Sequence, residues 1–149
     1  MTYTVRAFYK HDQEPDPWIV SSSEDVDALI DAVLHEPPSN SVITLYVAER
    51  PKTEYDMPDH ELRAAINQDT KVGGLRYAGP ADGAVGVWYA SGRDSEREEV
   101  FYYYMGHDEG WPHDSEVPLD ELRSAMKTFL ASGERPSDLE WRAWPENVS

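Results

Sequence analysis

Apolar and polar residues alternate at period two along most of this chain, and this alternation constrains the fold more than any other feature of the sequence. In "TYTVRAFY", the first such segment, one face carries Tyr3, Val5, Ala7 and Tyr9. The pattern recurs in "SVITLYVAE", "KVGGLRYAG", "AVGVWYAS" and "EEVFYYYM". Successive side chains of a strand point to opposite faces of the sheet, so each segment is predicted to be a strand with one buried face. Two shorter strands are predicted at "WIVS" and at "ERPSDLEWRAW", the second burying Leu139 and Trp141.

The segment "HELRAAIN" is the ambiguous one. Leu, Arg and Ala have high helix propensity, which favours a short helix. Against this, Leu62, Ala64 and Ile66 alternate with polar residues, and the polar turn "NQDT" leads directly into the next predicted strand. Two alternating segments joined by a tight polar turn are typical of a hairpin. We therefore predict a strand here.

Two other segments follow the helical period. "SSSEDVDALIDAVLHEPP" begins with capping serines, ends at two prolines and has an apolar stripe of Val26, Leu29, Ile30, Val33 and Leu34. "VPLDELRSAMKTFLASG" has a stripe of Leu119, Leu122, Met126, Phe129 and Leu130. Pro118 suits the first turn of this second helix, and Gly133 suits the left-handed position just beyond its end.

The order of these elements predicts a single domain over residues 1–149 with an α+β fold. We expect one twisted, mainly antiparallel sheet of about six to eight strands, with two amphipathic helices packed on one face. Gly73, Gly74 and Gly86 fall inside predicted strands, where glycine indicates a bulge or a close approach of another chain segment.

Charge and composition limit the classes of function. The chain has 29 acidic and 13 basic side chains, a net charge of −16, and this field repels nucleic acid and anionic membranes while attracting cationic proteins. A hydrophobic content of 40% is too high for a disordered acidic chain. The absence of cysteine excludes thiolate metal sites, and no basic leader or membrane-length apolar run is present, so we expect a cytoplasmic protein.

The segment "FYYYMGHDEGWP" at residues 101–112 is the most unusual in the chain. In a strand, Phe101 and Met105 are predicted to face the core. Tyr102 and Tyr104 are then predicted to lie on the open face of the sheet, beside Trp88 or Tyr89 of the neighbouring strand. An open face with several aromatic side chains and a rim of acids is typical of a protein interface.

The same region suggests a competing hypothesis, a small metal-dependent enzyme that uses the loop at residues 106–118. Five groups able to bind a metal fall within eight residues, namely His107, Asp108, Glu109, His113 and Asp114. Their spacing matches no known short metal-binding signature, which favours a solvated acidic loop. His11 and His60, each beside an aspartate in a polar segment, are expected to be exposed, and His35 is expected to contact the carbonyl end of the first helix.

Several pieces of the sequence, in their order along the chain, resemble the first-numbered family of the immunity (Imm) series from bacterial polymorphic toxin systems. They are "DVDALIDAVL", "SVITLYV", "ELRAAIN" with "VGGLRY", "EEVFYYYMGHDEGWP" and "VPLDELRSAMKTFLASGERPSDLEW", and together they span roughly residues 3–144. The resemblance implies a non-enzymatic α+β protein, encoded beside a toxin, that binds and silences this toxin. It also implies that the toxin is often a nucleic-acid-modifying, deaminase-type domain.

We therefore predict an immunity protein with no catalytic residue, no metal and no cofactor, which blocks the active site of a basic toxin. An acidic adaptor for another basic protein is the remaining alternative. The candidate toxin-binding residues are Trp88, Tyr102, Tyr104, His107, Asp108, Glu109, Trp111, Asp114 and Glu116. For Trp111, a structural role in which it folds back to cover a helix end is also open.

Overall fold

A computed structural model of the protein describes residues 3–144, so residues 1–2 and 145–149 of the predicted domain lie outside the described part. The fold is α+β, as predicted, with two helices, a main antiparallel sheet of eight strands and a second sheet of two strands. The strands are β1 (Val5–Phe8), β2 (Trp18–Val20), β3 (Val42–Val47), β4 (Glu61–Asn67), β5 (Val72–Ala81), β6 (Ala84–Ala90), β7 (Phe101–Tyr104), β8 (His107–Gly110), β9 (Val117–Pro118) and β10 (Trp141–Ala143). The helices are α1 (Ser23–Leu34) and α2 (Leu119–Ser132).

The main sheet has the order β10-β6-β5-β4-β3-β1-β2, and the short strand β9 pairs with β5 outside this path. All of its pairings are antiparallel, and β3 to β6 follow one another as a meander. Residues 61–67 therefore form a strand and not a helix, because Leu62, Ala64 and Ile66 all face the buried side of the sheet. The hydrophobic alternation outweighs the helix propensity of this segment.

Both helices pack on one face of the sheet, and their ends follow the sequence signals. The Ser22 hydroxyl caps α1 by accepting the Asp25 N–H at 3.2 Å, and the His35 imidazole Nδ1 contacts the Asp31 carbonyl at 2.8 Å, as expected. Gly133 ends α2 in the left-handed conformation, with φ +69°. Pro118 is the N-cap of α2 and not a first-turn residue, because it still has the extended backbone of β9. Within residues 3–144, neither helix is long and apolar enough to cross a membrane.

The main core lies between the helices and this face. It is formed by alternate residues of the central strands and by the predicted stripes of both helices, including Val5, Ala7, Val26, Leu29, Ile30, Val33, Ile43, Leu45, Leu62, Ile66, Leu75, Tyr77, Leu122, Met126, Phe129 and Leu130. Leu139 and Trp141 pack against it only partly buried, because β10 is a three-residue strand at the edge of the sheet and begins after Leu139.

Two of the three strand glycines mark close approaches. A Cβ at Gly73 would run into the carbonyl oxygen of Ala65 and stand 2.8 Å from Leu122 Cδ1, so only glycine fits between β4 and α2. A Cβ at Gly74 would stand 3.0 Å from two ring carbons of Trp111. The prediction is wrong for Gly86, where a Cβ would make ordinary contact, at 3.4 Å or more.

The second face of the main sheet carries its own small core. The hairpin β7–β8 and the segments flanking it cover this face with Val42, Ala65, Tyr89, Val100, Tyr102 and Trp111. The prediction placed residues 101–104 in the main sheet and treated residues 106–118 as a loop. Both placements are wrong, because the two segments contain the strands of a separate sheet.

Candidate partner-binding surface

The segment 101–112 folds as a tight hairpin. Tyr104 pairs with His107, and the two residues between them, Met105 and Gly106, have φ +49° and +85°. A two-residue connection with positive φ at both positions matches the twist of the flanking strands. Tyr103 fixes the hairpin to the main sheet, because its carbonyl accepts the Ser41 N–H at 2.9 Å and its own N–H donates to Ser41 Oγ at 2.9 Å.

The faces predicted for Phe101 and Tyr102 of β7 are reversed, whereas Met105, in the turn after β7, is buried as predicted. Tyr102 is 2% exposed and buried against the sheet, whereas Phe101 is 37% exposed. Burial raises the pKa of Tyr102 to about 12, and the Arg97 guanidinium lies 5.0 Å from the centre of its ring. Trp88 is also misplaced by the prediction, since it packs against the helix-face core beside Tyr77. Neither Tyr102 nor Trp88 lies on an open face with the other candidates.

Trp111 is the centre of the second core. The residue is 6% exposed, and its ring packs edge-on against the rings of Tyr89 and Tyr102, with centroid distances of 5.2 and 5.7 Å. It covers a sheet face and not a helix end, which corrects the structural role considered from the sequence. A partner could contact little of this side chain while the fold is intact.

Tyr104 and Glu109 lie at the border between the hairpin and the uncovered part of the sheet, and both are partly buried. The Tyr104 hydroxyl is 3.3 Å from Thr44 Oγ1, and the Arg63 guanidinium lies 5.1 Å from the Tyr104 ring. Arg63 also forms an ion pair with Glu109. Tyr104 therefore joins β7 to β3 and β4, and Glu109 joins β8 to β4.

Two further acids of the predicted rim are engaged within the fold. The Asp114 carboxylate accepts hydrogen bonds from Arg142 Nη1 at 2.7 Å and from Arg142 Nη2 at 2.5 Å, and these bonds lower the pKa of Asp114. Glu116 accepts Ser95 Oγ at 2.6 Å and Arg97 at 3.2 Å. These contacts fasten the segment before α2 to β10 and to the 92–99 loop.

His107 and Asp108 are thus the only exposed residues among the nine candidates, all of which lie in the described part of the chain. They stand beside the turn of the hairpin. Sequence reasoning brought the nine residues to one face. The fold instead divides them among a helix-side core, a second core, internal ion pairs and an exposed turn.

The metal-ligand cluster predicted from "HDEGWPHD" does not assemble. Glu109 turns to Arg63, Asp114 to Arg142, and the His113 imidazole Nε2 lies 2.8 Å from the Arg97 carbonyl. Among residues 3–144, no three His, Asp or Glu side chains come together as a metal site.

His60 is buried, not exposed as predicted, and forms a network with Asp59 and Arg50. Its Nδ1–H donates to Asp59 at 2.8 Å, and its Nε2 accepts the Val47 N–H at 2.8 Å. Arg50 donates to the other oxygen of Asp59 at 3.1 Å and to the Tyr77 hydroxyl at 2.9 Å. Burial lowers the pKa of His60. An Asp–His pair resembles part of a catalytic triad, but here the nitrogen that would act as a base already holds a backbone N–H.

Next to this network, the part of the second face that the hairpin leaves open forms a shallow groove. Its floor is a charged cluster around Glu61. The Glu61 carboxylate accepts hydrogen bonds from the Tyr46 hydroxyl and from Arg63 Nε, both at 2.5 Å, and lies 3.5 Å from Arg76 Nη1. Burial, followed by the Glu61 carboxylate, raises the pKa of Tyr46. The groove has a volume of about 420 Å³ and is bordered on one side by Met57 and Pro58.

The loop that borders the groove was not identified from the sequence as a candidate. Every residue at 51–58 is exposed, which is the longest such run in the described chain. Tyr55 is 79% exposed and Met57 60%. The signal in the sequence is "TEYDM", where an aromatic residue and a methionine alternate with acids between Pro51 and Pro58.

The negative charge of the protein is concentrated in side chains that face solvent without a cationic partner. All thirteen Lys and Arg residues lie in the described part, and ten of them are held in internal ion pairs: Lys10, Arg50, Lys52, Arg63, Arg76, Arg97, Arg123, Lys127, Arg135 and Arg142. Exposed acids outside these pairs include Glu54, Asp108 and a dense group at Asp94, Glu96, Glu98 and Glu99. The field outside the molecule is therefore strongly negative.

Comparison with known proteins gives one family. The family model described as "Immunity protein Imm1" matches residues 14–143, which covers most of the chain and every element from β2 to β10. A search of curated proteins gives no match. This confirms the family resemblance seen in the sequence, and members of an immunity family bind a cognate toxin. The chain belongs to the Imm1 family of immunity proteins.

Proposed function

We propose that this immunity protein neutralises a basic toxin, encoded by a neighbouring gene, by covering the active site of the toxin in the cytoplasm. The observation that carries the proposal is the surplus of exposed acids over free cations. Opposite charges steer two proteins together and raise their association rate, mainly where the charges are exposed and unpaired.

The class of toxin follows from the same charge. An enzyme that holds DNA or RNA needs a positively charged substrate path, because it must neutralise phosphates. A protein with a net charge of −16 is attracted to such a path and competes there with the nucleic acid. We therefore infer a nucleic-acid-modifying toxin, and no binding of nucleic acid or membrane by the immunity protein itself. The family resemblance, and not the charge, is what suggests a deaminase-type domain.

We further infer that inhibition is stoichiometric and not catalytic. One Asp–His pair in the described residues resembles catalytic machinery, namely Asp59 and the buried His60, and both ring nitrogens of His60 are used in structural hydrogen bonds. The acids that resembled a metal site are engaged by arginines at different places in the fold. These observations favour a binding function.

The test is co-expression with the toxin encoded by the adjacent gene. Growth should be restored, and the purified immunity protein should form a stable complex with a catalytically inactive variant of that toxin. The association rate should fall steeply as salt rises from 50 to 500 mM, since the steering charges become screened. A nucleic-acid substrate of the toxin should compete with the immunity protein.

A basic protein that is unrelated to the toxin but has a similar net charge serves as the control for non-specific attraction to the immunity protein. It should bind weakly and lose binding completely at moderate salt. The proposal is wrong if the adjacent toxin kills cells in the presence of the immunity protein and forms no complex with it. Occlusion is wrong if the complex forms but the substrate still enters the active site.

A further inference from the structure

The loop at residues 51–58 presents the largest exposed apolar side chains that stand close together in the described structure. Tyr55 and Met57 are two positions apart, whereas the other large exposed apolar residues lie singly along the chain, at Tyr3, Ile19, Val85 and Phe101. The Tyr55 ring makes no contact with another ring among the described residues. These two exposed side chains are not part of the core, and tyrosine and methionine are both enriched at protein interfaces.

The loop is shaped by hydrogen bonds within itself. Thr53 N–H donates to the Met57 carbonyl at 2.8 Å, and the Thr53 carbonyl accepts the Asp56 N–H at 3.0 Å. The Thr53 hydroxyl accepts the N–H groups of Tyr55 and Met57 at 3.3 and 3.4 Å. Lys52 pairs with Pro58 across the loop as an isolated β-bridge. The tip therefore has a defined conformation before any partner arrives.

Both ends of the loop are fixed to the body of the protein. Arg50, at its start, donates to Asp59 at its end and also to the Gly133 carbonyl at the end of α2, at 3.2 Å. His60 then ties the end of the loop to the Val47 N–H of β3. A loop held in its bound shape loses little conformational entropy on binding.

We propose that this loop is the element that enters the active-site cleft of the toxin, with Tyr55 and Met57 as apolar anchors and Glu54 and Asp56 facing cationic side chains of the cleft. Active sites are concave, so an inhibitor that fills one needs an exposed, ordered projection. The charge of the loop matches a cleft built to hold phosphates, because acids flank Tyr55 on both sides. Glu54 is in no ion pair of the described structure, and Asp56 is 88% exposed even though Lys52 lies 3.6 Å away. This inference rests on the proposed function and assigns its contact surface.

The experiment measures binding of loop variants to the inactive toxin by surface plasmon resonance. Tyr55→Ala combined with Met57→Ala should raise the dissociation rate at least 10-fold, because buried aromatic anchors dominate interface energetics. Glu54→Lys combined with Asp56→Asn should chiefly slow association and reduce its salt dependence, and asparagine keeps a residue that tolerates the left-handed backbone of position 56, with φ +60°. Val85→Ala, which removes an equally exposed apolar side chain from β6, is the matched control and should bind like the parent protein.

Thermal unfolding separates a binding defect from a folding defect, and the loop variants should melt within about 2 °C of the parent because these side chains are exposed. A second readout needs no variant. Hydrogen exchange of the parent protein should slow at residues 53–57 when the toxin is added.

The outcomes distinguish the two proposals. If the parent protein does not bind the adjacent toxin, the proposed function fails. If the parent binds while both loop variants keep its rates, and residues 53–57 exchange as in the free protein, the function stands and the loop assignment is overturned.

Discussion

The indole of Trp111 lies directly against Gly74 of β5, where a Cβ would stand 3.0 Å from two carbons of the ring. The aromatic residue that follows the hairpin β7–β8 therefore reaches the backbone of a central strand. Because there is no side chain at Gly74, the Trp111 ring packs directly on the sheet, and the rings of Tyr89 and Tyr102 pack against it edge-on. This contact adds to the Ser41–Tyr103 hydrogen bonds that hold the hairpin on the main sheet.

We expect Trp111→Ala to lower the free energy of unfolding by about 3–5 kcal/mol, because it removes a large buried ring and leaves a cavity. Phe101→Ala is the matched control, since this residue is partly exposed on the other side of β7, and it should cost about 1 kcal/mol or less. Urea denaturation of both variants measures the difference. Similar losses in the two would contradict the central role given to Trp111.

Gly73→Ala tests the closeness of β4, β5 and α2. The added methyl group meets the Ala65 carbonyl oxygen and Leu122, and a backbone atom has little freedom to yield, so we expect a loss of about 1–3 kcal/mol. Gly86→Ala is the control within a neighbouring strand. Its Cβ has room, and the change should be near zero or slightly stabilising. Equal losses of stability in Gly73→Ala and Gly86→Ala, measured by thermal unfolding, would refute the close approach assigned to Gly73.

The buried imidazole of His60 predicts a pH dependence of stability. Burial holds the pKa of His60 below its ordinary value of about 6.5, so the unfolded chain binds the proton more readily than the folded one. The contribution of His60 to the free energy of unfolding is fully present above pH 6.5 and decreases as the pH falls below that value. Protonation also removes the acceptor of the Val47 N–H.

His60→Gln is the variant that isolates this contribution, since an amide oxygen can accept the Val47 N–H and does not titrate. Unfolding free energy measured between pH 7.5 and 5 should fall less steeply in the variant than in the parent protein. Parallel curves would show that His60 is not the responsible group.

The helices and the strands β1 to β6 could be predicted from the sequence because each follows a local rule. Alternation identified β4 against its own helix propensity, and the α1 stripe matched the buried residues Val26, Leu29, Ile30 and Val33. The strand β8 could not be predicted in this way. Its sequence, "HDEG", has low strand propensity and pairs only because Met105 and Gly106 turn the chain back on β7.

The candidate site was less predictable because its residues are placed by distant partners. Phe101 and Met105 are more apolar than Tyr102, so the core face was assigned to them, and the assignment is correct for Met105 but wrong for Phe101. The second core then selected Tyr102, whose ring fits between Trp111 and Arg97. His60 follows the same logic, since its burial depends on a backbone group of β3 that no local pattern reveals.

Asp108→Lys and Glu109→Lys are neighbouring charge reversals with different expected results. Asp108 is exposed without an ion pair in the described structure, so its reversal should leave stability within about 0.5 kcal/mol and slow association with the toxin roughly threefold. Glu109→Lys places a second cation beside Arg63 and should destabilise the hairpin by about 1 kcal/mol. Stopped-flow association and urea unfolding separate the two. Identical behaviour would argue against the division of these acids into free and engaged ones.

The main sheet ends on both sides in strands of three residues, β2 and β10. Each edge therefore offers only a few unpaired backbone groups to another chain, and short edges resist the strand-to-strand stacking that leads to aggregates. Copies of the protein also repel one another through their shared charge. Both features favour a high concentration of this protein in solution, which the stoichiometric inhibition proposed above would require.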